Sequence, residues 1–177
     1  MGTMAQHLTS ETFFDNVRIP ADALFGEENR GWYYMTTALD LERVMIEPQS
    51  LYQRRLDGLV KHINDQRPDL AADPVLRTKL AEASVDSEVS RALALTNAIM
   101  VQNGITPTME GAMVKVWGSE TRARFDSLGM DLLGPEGGLR RDNESAPLGG
   151  KLEENYRGSS VHRFAGGTND VLRRIIA

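Results

Sequence analysis

Two consecutive stretches decide the fold: DPVLRTKLAEASVDSEVSRALALTNAIMVQNG, Asp73 to Gly104, and TPTMEGAMVKVWGSETRARFDSLGMDLLG, Thr106 to Gly134. Each opens with a side chain that can cap free backbone N–H groups, followed by proline, whose fixed φ suits the first helical position. In the first stretch Leu76, Leu80, Ala83, Val89, Leu93 and Met100 fall mostly at three- and four-residue steps. That spacing puts them on one stripe of a helix closing near Gly104. In the second, Met109, Met113, Val116, Trp117, Leu128 and Leu132 supply the stripe of another helix reaching Gly134. Long helices with one apolar side must bury it against each other, so the expected class is all-α, an antiparallel bundle of the four-helix type.

Working outward, Trp32, Met35, Leu39, Val44 and Ile46 begin a helical pattern at Gly31 that runs to about His62. Pro48 is able to kink it, and Arg67-Pro68-Asp69 ends it. Residues 134–150 are rich in glycine, proline and charge without any period, which predicts a long loop of the kind that more often serves function. A short helix over Leu152–His162 follows, then a Gly166-Gly167 hinge. A last helix spans Thr168–Ile176, with Thr168 as N-cap and Asp170 in its first turn. Upstream, Glu11–Pro20 (ETFFDNVRIP) has the β-formers of one short strand ended by proline. That strand is an orphan, because no second strand signal follows it.

The 177 residues are 41% apolar, enough for one ordinary core, and carry a formal charge of −5. The basic residues are scattered, which excludes the electrostatic footprint of a nucleic-acid binder. With no cysteine, disulfides, thiolate catalysis and cysteine metal sites are excluded, and the lone His7, His62 and His162 make no metal site. No apolar run reaches the length of a membrane span, and the N-terminus lacks the plan of a signal peptide, so the expected compartment is the cytoplasm. Met1-Gly2-Thr3-Met4 has the look of a cloning remnant.

Two short stretches carry the chemistry. Ala38-Leu39-Asp40-Leu41-Glu42-Arg43-Val44 sets acids among apolar helical neighbours, and Arg163-Phe164-Ala165-Gly166-Gly167-Thr168-Asn169-Asp170 is a glycine hinge opening a helix. On residue type alone Glu42 is either a base or one half of a surface ion pair, and Arg43 either binds ligand or bridges helices. The glycines after Leu133 either let a ligand approach the backbone closely or simply form a loop.

Together with Phe14-Asp15-Asn16-Val17-Arg18-Ile19-Pro20, the Gly26 to Gly31-Trp32 turn and the closing Gly167-Thr168-Asn169-Asp170-Val171 and Arg174-Ile175-Ile176-Ala177, these stretches resemble the C-terminal half of an acyl-CoA dehydrogenase. The resemblance implies that residues 5–29 end a middle β-domain and residues 30–177 form the C-terminal helical bundle. It also accounts for the orphan strand. The implied activity is removal of an α-proton from an acyl-CoA while the β-hydride passes to FAD, giving a 2-enoyl-CoA, with an electron-transferring flavoprotein as electron acceptor and a tetramer as the assembly.

Most members of that family carry the base in a Tyr-Glu-Gly-Thr motif. Here the tetrad is Ala165-Gly166-Gly167-Thr168, so that glutamate is absent. A branch similar to isovaleryl-CoA dehydrogenase places it instead in a Leu-Asp-Leu-Glu-Arg stretch, which residues 39–43 reproduce. The resemblance thus implies Glu42 as the catalytic base, Asp40 and Arg43 as substrate-binding, and Gly134, Gly137, Gly138, Thr168 and Asp170 as cofactor-binding. Two other motifs depart from the family. The Arg-x-x-Phe-Gly motif is missing from Val60–Pro68, leaving Arg67 as a poor substitute, and Gln-x-x-Gly-Gly becomes Asp131-Leu132-Leu133-Gly134-Pro135. Such losses suit a dehydrogenase built from two different subunits that share the flavin site. This chain is then expected to be inactive alone. The alternatives are a non-catalytic assembly subunit of such an enzyme and a stand-alone helical interaction module.

Overall fold

A computed structural model describes residues 10–44 and 49–177. Helices α1 (Gly31–Arg43), α2 (Gln49–Gln66), α3 (Pro68–Ala71), α4 (Pro74–Gln102), α5 (Thr108–Leu133), α6 (Lys151–Ser159) and α7 (Asn169–Ile176) follow one another, with short 3₁₀ turns at Ala21–Ala23, Gly134–Gly138, Pro147–Gly150 and Val161–Arg163. The expected single helix over Gly31–His62 is thus seen as α1 and α2. Ile46 and the kink expected at Pro48 lie outside the described residues, as do Met1–Met4 and His7.

The start of α4 is built as the sequence predicts. Asp73 Oδ1 accepts from the N–H groups of Val75, at 2.8 Å, and Leu76, at 3.4 Å. The second start differs: Pro107 itself takes the cap position, with ψ of 80° and no side-chain cap. Thr108 turns its hydroxyl away from the helix, to Asp40.

The main core joins Tyr52, Leu56, Leu59 and Ile63 of α2, Leu76 and Ala83 of α4 and Phe125 of α5. The rings of Tyr52 and Phe125 lie 5.1 Å apart, tilted by 60°. The Tyr52 hydroxyl donates to the carbonyl of Ala83 at 3.2 Å, and burial pushes its pKa above the ordinary phenol value.

The stripe expected on α5 is not its buried side: Met109 is exposed, and Met113, Val116, Trp117, Leu128 and Leu132 are half-buried. Instead α5 buries Gly111, Ala112, Lys115, Ser119, Thr121, Ala123, Phe125, Asp126 and Gly129, among others. It is the hub of the bundle, in contact with α1, α4, α6 and α7. A helix surrounded on several sides has no single apolar face, and small residues let its neighbours come close. At Gly111 an added Cβ would lie 3.3 Å from the Asp40 carbonyl oxygen.

No β-strand occurs among the described residues. Residues 10–20 form no ladder, because a strand exists only through hydrogen bonds to a neighbouring strand and this segment has none among the described residues. Phe13, Phe14, Val17 and Ile19 are 62–83% exposed. The turn after them is held locally. Gly26 has φ +75°, and a Cβ there would lie 2.4 Å from the Tyr34 ring. The Tyr34 hydroxyl in turn accepts from the Glu27 N–H at 3.1 Å.

Candidate active site

Asp40 and Arg43 stand three residues apart on α1 and so share a face. Arg43 Nη1 donates to Asp40 Oδ1 at 2.5 Å, and Asp40 Oδ2 accepts from the Thr108 hydroxyl at 2.8 Å. The Arg43 guanidinium is buried, and its Nε donates to the carbonyl of Gly166 at 3.2 Å. One side chain therefore joins the Leu39–Arg43 stretch to the glycine hinge, 123 residues away in sequence. Within this chain Arg43 bridges helix and hinge.

Glu42 lies one residue, about 100° of helical turn, from Arg43. It is exposed, with no ion pair or hydrogen bond among the described residues. Among the described residues the surface ion pair weighed for it does not occur. Chemically it is an uncommitted carboxylate beside a buried guanidinium, on a helix end fastened to the hinge.

The hinge owes its path to its two glycines: Gly166 has φ +69° and Gly167 φ +98°, the left-handed region that side chains disfavour. A glutamate at position 166 would carry that strain. Thr168 caps α7, its hydroxyl accepting from the Val171 N–H at 3.4 Å. Asp170 lies in the first turn, its side chain 96% exposed and 3.7 Å from Arg173.

Below the hinge lies a polar cluster that sequence reasoning missed. Lys115, fully buried on α5, donates through Nζ to the carbonyls of Gly167 at 2.6 Å and Arg163 at 3.1 Å and to Asn169 Oδ1 at 2.7 Å. The buried Asn169 amide also meets Ser119 Oγ at 3.1 Å and Glu120 Oε1 at 3.2 Å. Glu120 pairs with Arg173 as well. The signal was available in the four-residue spacing of Gly111, Lys115 and Ser119, a line of small and polar residues that an apolar stripe search passes over.

The remaining expected residues are not brought together. Lys115 lies against the hinge, whereas Gly134 ends the same helix, roughly 28 Å further along at 1.5 Å per residue. Gly134 and Gly138 are exposed with nothing within 4 Å of an added Cβ, and Gly137 packs on Leu133. Arg67 is engaged by Asp69 through two bonds of 3.0 and 2.8 Å, which hold the Asp69 carboxyl below its ordinary pKa. A groove of about 870 Å³ between α4, α5 and α6 is lined by Asp86, Asp131, Tyr156 and Phe164 but contains none of Asp40, Glu42 or Arg43. No group of three or more acidic, histidine or cysteine side chains among the described residues could hold a metal, and no helix there is long and apolar enough to cross a membrane.

A bundle with this element order and this hinge defines a class, and comparison with known proteins identifies it. The profile of "Acyl-CoA dehydrogenase, C-terminal domain" matches residues 29–177, so the chain belongs to the acyl-CoA dehydrogenase family. Acyl-CoA dehydrogenase FadE26 of Mycobacterium tuberculosis is 31% identical over 182 residues, covering 98% of this chain and 45% of the relative. Long-chain specific acyl-CoA dehydrogenase, mitochondrial, of Mus musculus is 29% identical, covering 100% and 40%. Among solved structures, the steroid ACAD Tcur3481-Tcur3483 superposes with a TM-score of 0.85 at 29% identity, over 93% of this chain and 43% of that one. The ChsE4-ChsE5 complex from Mycobacterium tuberculosis gives 0.77 at 27%, over 93% and 44%. The chain thus spans less than half the length of these relatives.

Proposed function

We propose that this chain is the C-terminal part of an FAD-dependent acyl-CoA dehydrogenase and that Glu42 is its base, taking the α-proton of an acyl-CoA. The observation that carries the reading is the Arg43 to Gly166 hydrogen bond. It joins the stretch that carries Glu42 to the hinge whose own glutamate is missing, and among the described residues it leaves Glu42 uncommitted beside them. A solvated carboxylate is a weak base for a carbon acid, and covering Glu42 with a further layer would raise its basicity. The exposed Trp32, Tyr33, Met35 and Leu41 of the same helix are the surface such a layer would bury.

The hinge suits FAD as a shared ligand only. Its two left-handed glycines leave backbone open to close approach, but Gly134, Gly137 and Gly138 do not converge on Thr168 and Asp170 within one chain, and Arg67 is committed to Asp69. Bound between chains, the flavin supplies an acceptor for the β-hydride, and the product is a 2-enoyl-CoA. In this reading Asp40 orients Arg43 rather than touching substrate.

The committed Arg67 and the acidic Asp131 favour a heteromeric assembly in which a sequence-related subunit supplies the missing cation. The likeness to Tcur3481-Tcur3483 and to the ChsE4-ChsE5 complex supports that arrangement, with an electron-transferring flavoprotein as redox partner. It also makes a steroid side-chain acyl-CoA the substrate to try beside straight-chain ones.

The test is Glu42→Gln in the assembled enzyme. Substrate-driven bleaching of the flavin should vanish while an unreactive acyl-CoA analogue still binds. Bleaching at the wild-type rate would reject the base and leave an assembly subunit, and purification as a flavin-loaded homotetramer would reject the heteromer.

A further inference from the structure

We propose that Lys115 is a positioning residue for this site: it sets the path of the Gly166-Gly167 hinge and, through Arg43, the seat of the helix end that carries Glu42. The last step rests on the function proposed above; the clamp on the hinge does not.

Two glycines in the left-handed region give the hinge its path but no side chain with which to hold it. It is held instead by cations from two other helices acting on consecutive carbonyls. Arg43 of α1 donates to Gly166 at 3.2 Å, and Lys115 of α5 donates to Gly167 at 2.6 Å. An ammonium has three protons to donate, and the carbonyl of Arg163 and the amide oxygen of Asn169 take the other two bonds. Lys115 thereby spans both sides of the hinge, from Arg163 before it to Asn169 after it.

Asn169 is held from its far side by Ser119 and Glu120, so the clamp has a rigid backing on the same helix. Burying an ammonium completely costs far more than burying a methionine of similar size, and only well-made bonds offset that cost. What the lysine contributes beyond an apolar residue is direction. Supporting bonds of this kind fix an active residue's geometry, and misplacement by about 1 Å can cost on the order of a hundredfold in rate.

The experiment compares Lys115→Met with wild type in the assembled enzyme by two readouts. Hydrogen exchange of the backbone amides over residues 163–170 should speed up at least tenfold while α2 and α4 exchange as before. The rate per bound flavin should fall tenfold or more, with KM for the acyl-CoA changed less than threefold. Unchanged exchange at the hinge overturns the clamp. A loosened hinge with an unchanged rate per bound flavin makes the lysine merely structural and overturns its positioning role.

Should Lys115→Met not fold, Asn169→Ala spares the lysine while removing one acceptor, and a smaller change in the same direction is expected; none would overturn the proposal. Since the chain has no cysteine, K115C can also be aminoethylated under denaturing conditions and refolded. The aminoethyl group should restore slow exchange at the hinge and an ethyl group should not; equal behaviour of the two would overturn the proposal. Full activity of Glu42→Gln would reject the base assignment yet leave the exchange result standing, so the two failures are distinguishable.

Discussion

Residues 49–177 and residues 10–44 share a chain but meet water very differently. In the first region Leu59, Ile63, Leu76 and Leu172 are at most 2% exposed, whereas in the second Phe13, Phe14, Phe25 and Trp32 are 68–83% exposed. Both regions contain the apolar residues of a core. Among the described residues only the first buries such large apolar side chains in a core. The contrast teaches that residues 49–177 hold a buried core around α5, while the amino-terminal segment and the outer side of α1 present a surface prepared for cover. The candidate base lies on the border between them, on the exposed side of a helix anchored by Arg43.

The sharpest way to break that comparison is a pair of truncations. Leu59→Ala should destabilise the chain by about 2–5 kcal/mol in urea unfolding, through lost burial and the cavity left behind. Phe14→Ser should change the same measurement by less than about 0.5 kcal/mol, yet reduce assembly seen by native mass spectrometry. Equal destabilisation by the two would mean that the amino-terminal segment is part of the core.

The hinge comes next in size. Gly166→Ala places a side chain at φ +69° and should cost about 1–2 kcal/mol. Hydrogen exchange should show the loosening at residues 163–170 and not at α2. An effect spread over the whole bundle would deny the hinge its independence.

Tyr52 sharpens the picture of the core itself. Losing its bond to Ala83 in Tyr52→Phe should cost about 1 kcal/mol at neutral pH. Because burial raises the folded pKa, the folded state keeps its proton where the unfolded chain has lost it. Stability should therefore be intact below pH 10.0 and fall above it, by up to about 1.4 kcal/mol per pH unit. The Phe variant should lack this fall, as alkaline unfolding curves would show.

The smallest effect concerns α6. Arg157 donates to both oxygens of Glu153, at 2.8 and 2.9 Å, and holds that carboxyl below its usual 4.5. A depressed folded pKa contributes stability above 4.5 that disappears as pH falls below it. Since the pair is partly open to water, Glu153→Gln should cost no more than about 0.5 kcal/mol at pH 7 and nothing near pH 2 in acid titrations of unfolding.

Local chemistry in the sequence determined a great deal. Asp73-Pro74 started α4, Gly104 and Gly134 marked ends, Gly166-Gly167 marked the hinge and Thr168 capped α7, because capping and left-handed turns depend on residues adjacent along the chain. Motif order determined the family and pointed to Glu42 as the candidate base. Tertiary structure alone decided which side of α5 is buried, since five helices close on it and period no longer distinguishes inside from outside. It also decided that Arg43 faces the hinge and that Lys115 is buried. A lysine or arginine looks solvated in any sequence, and only the carbonyls and carboxylates brought to it by distant segments determine where its charge is used.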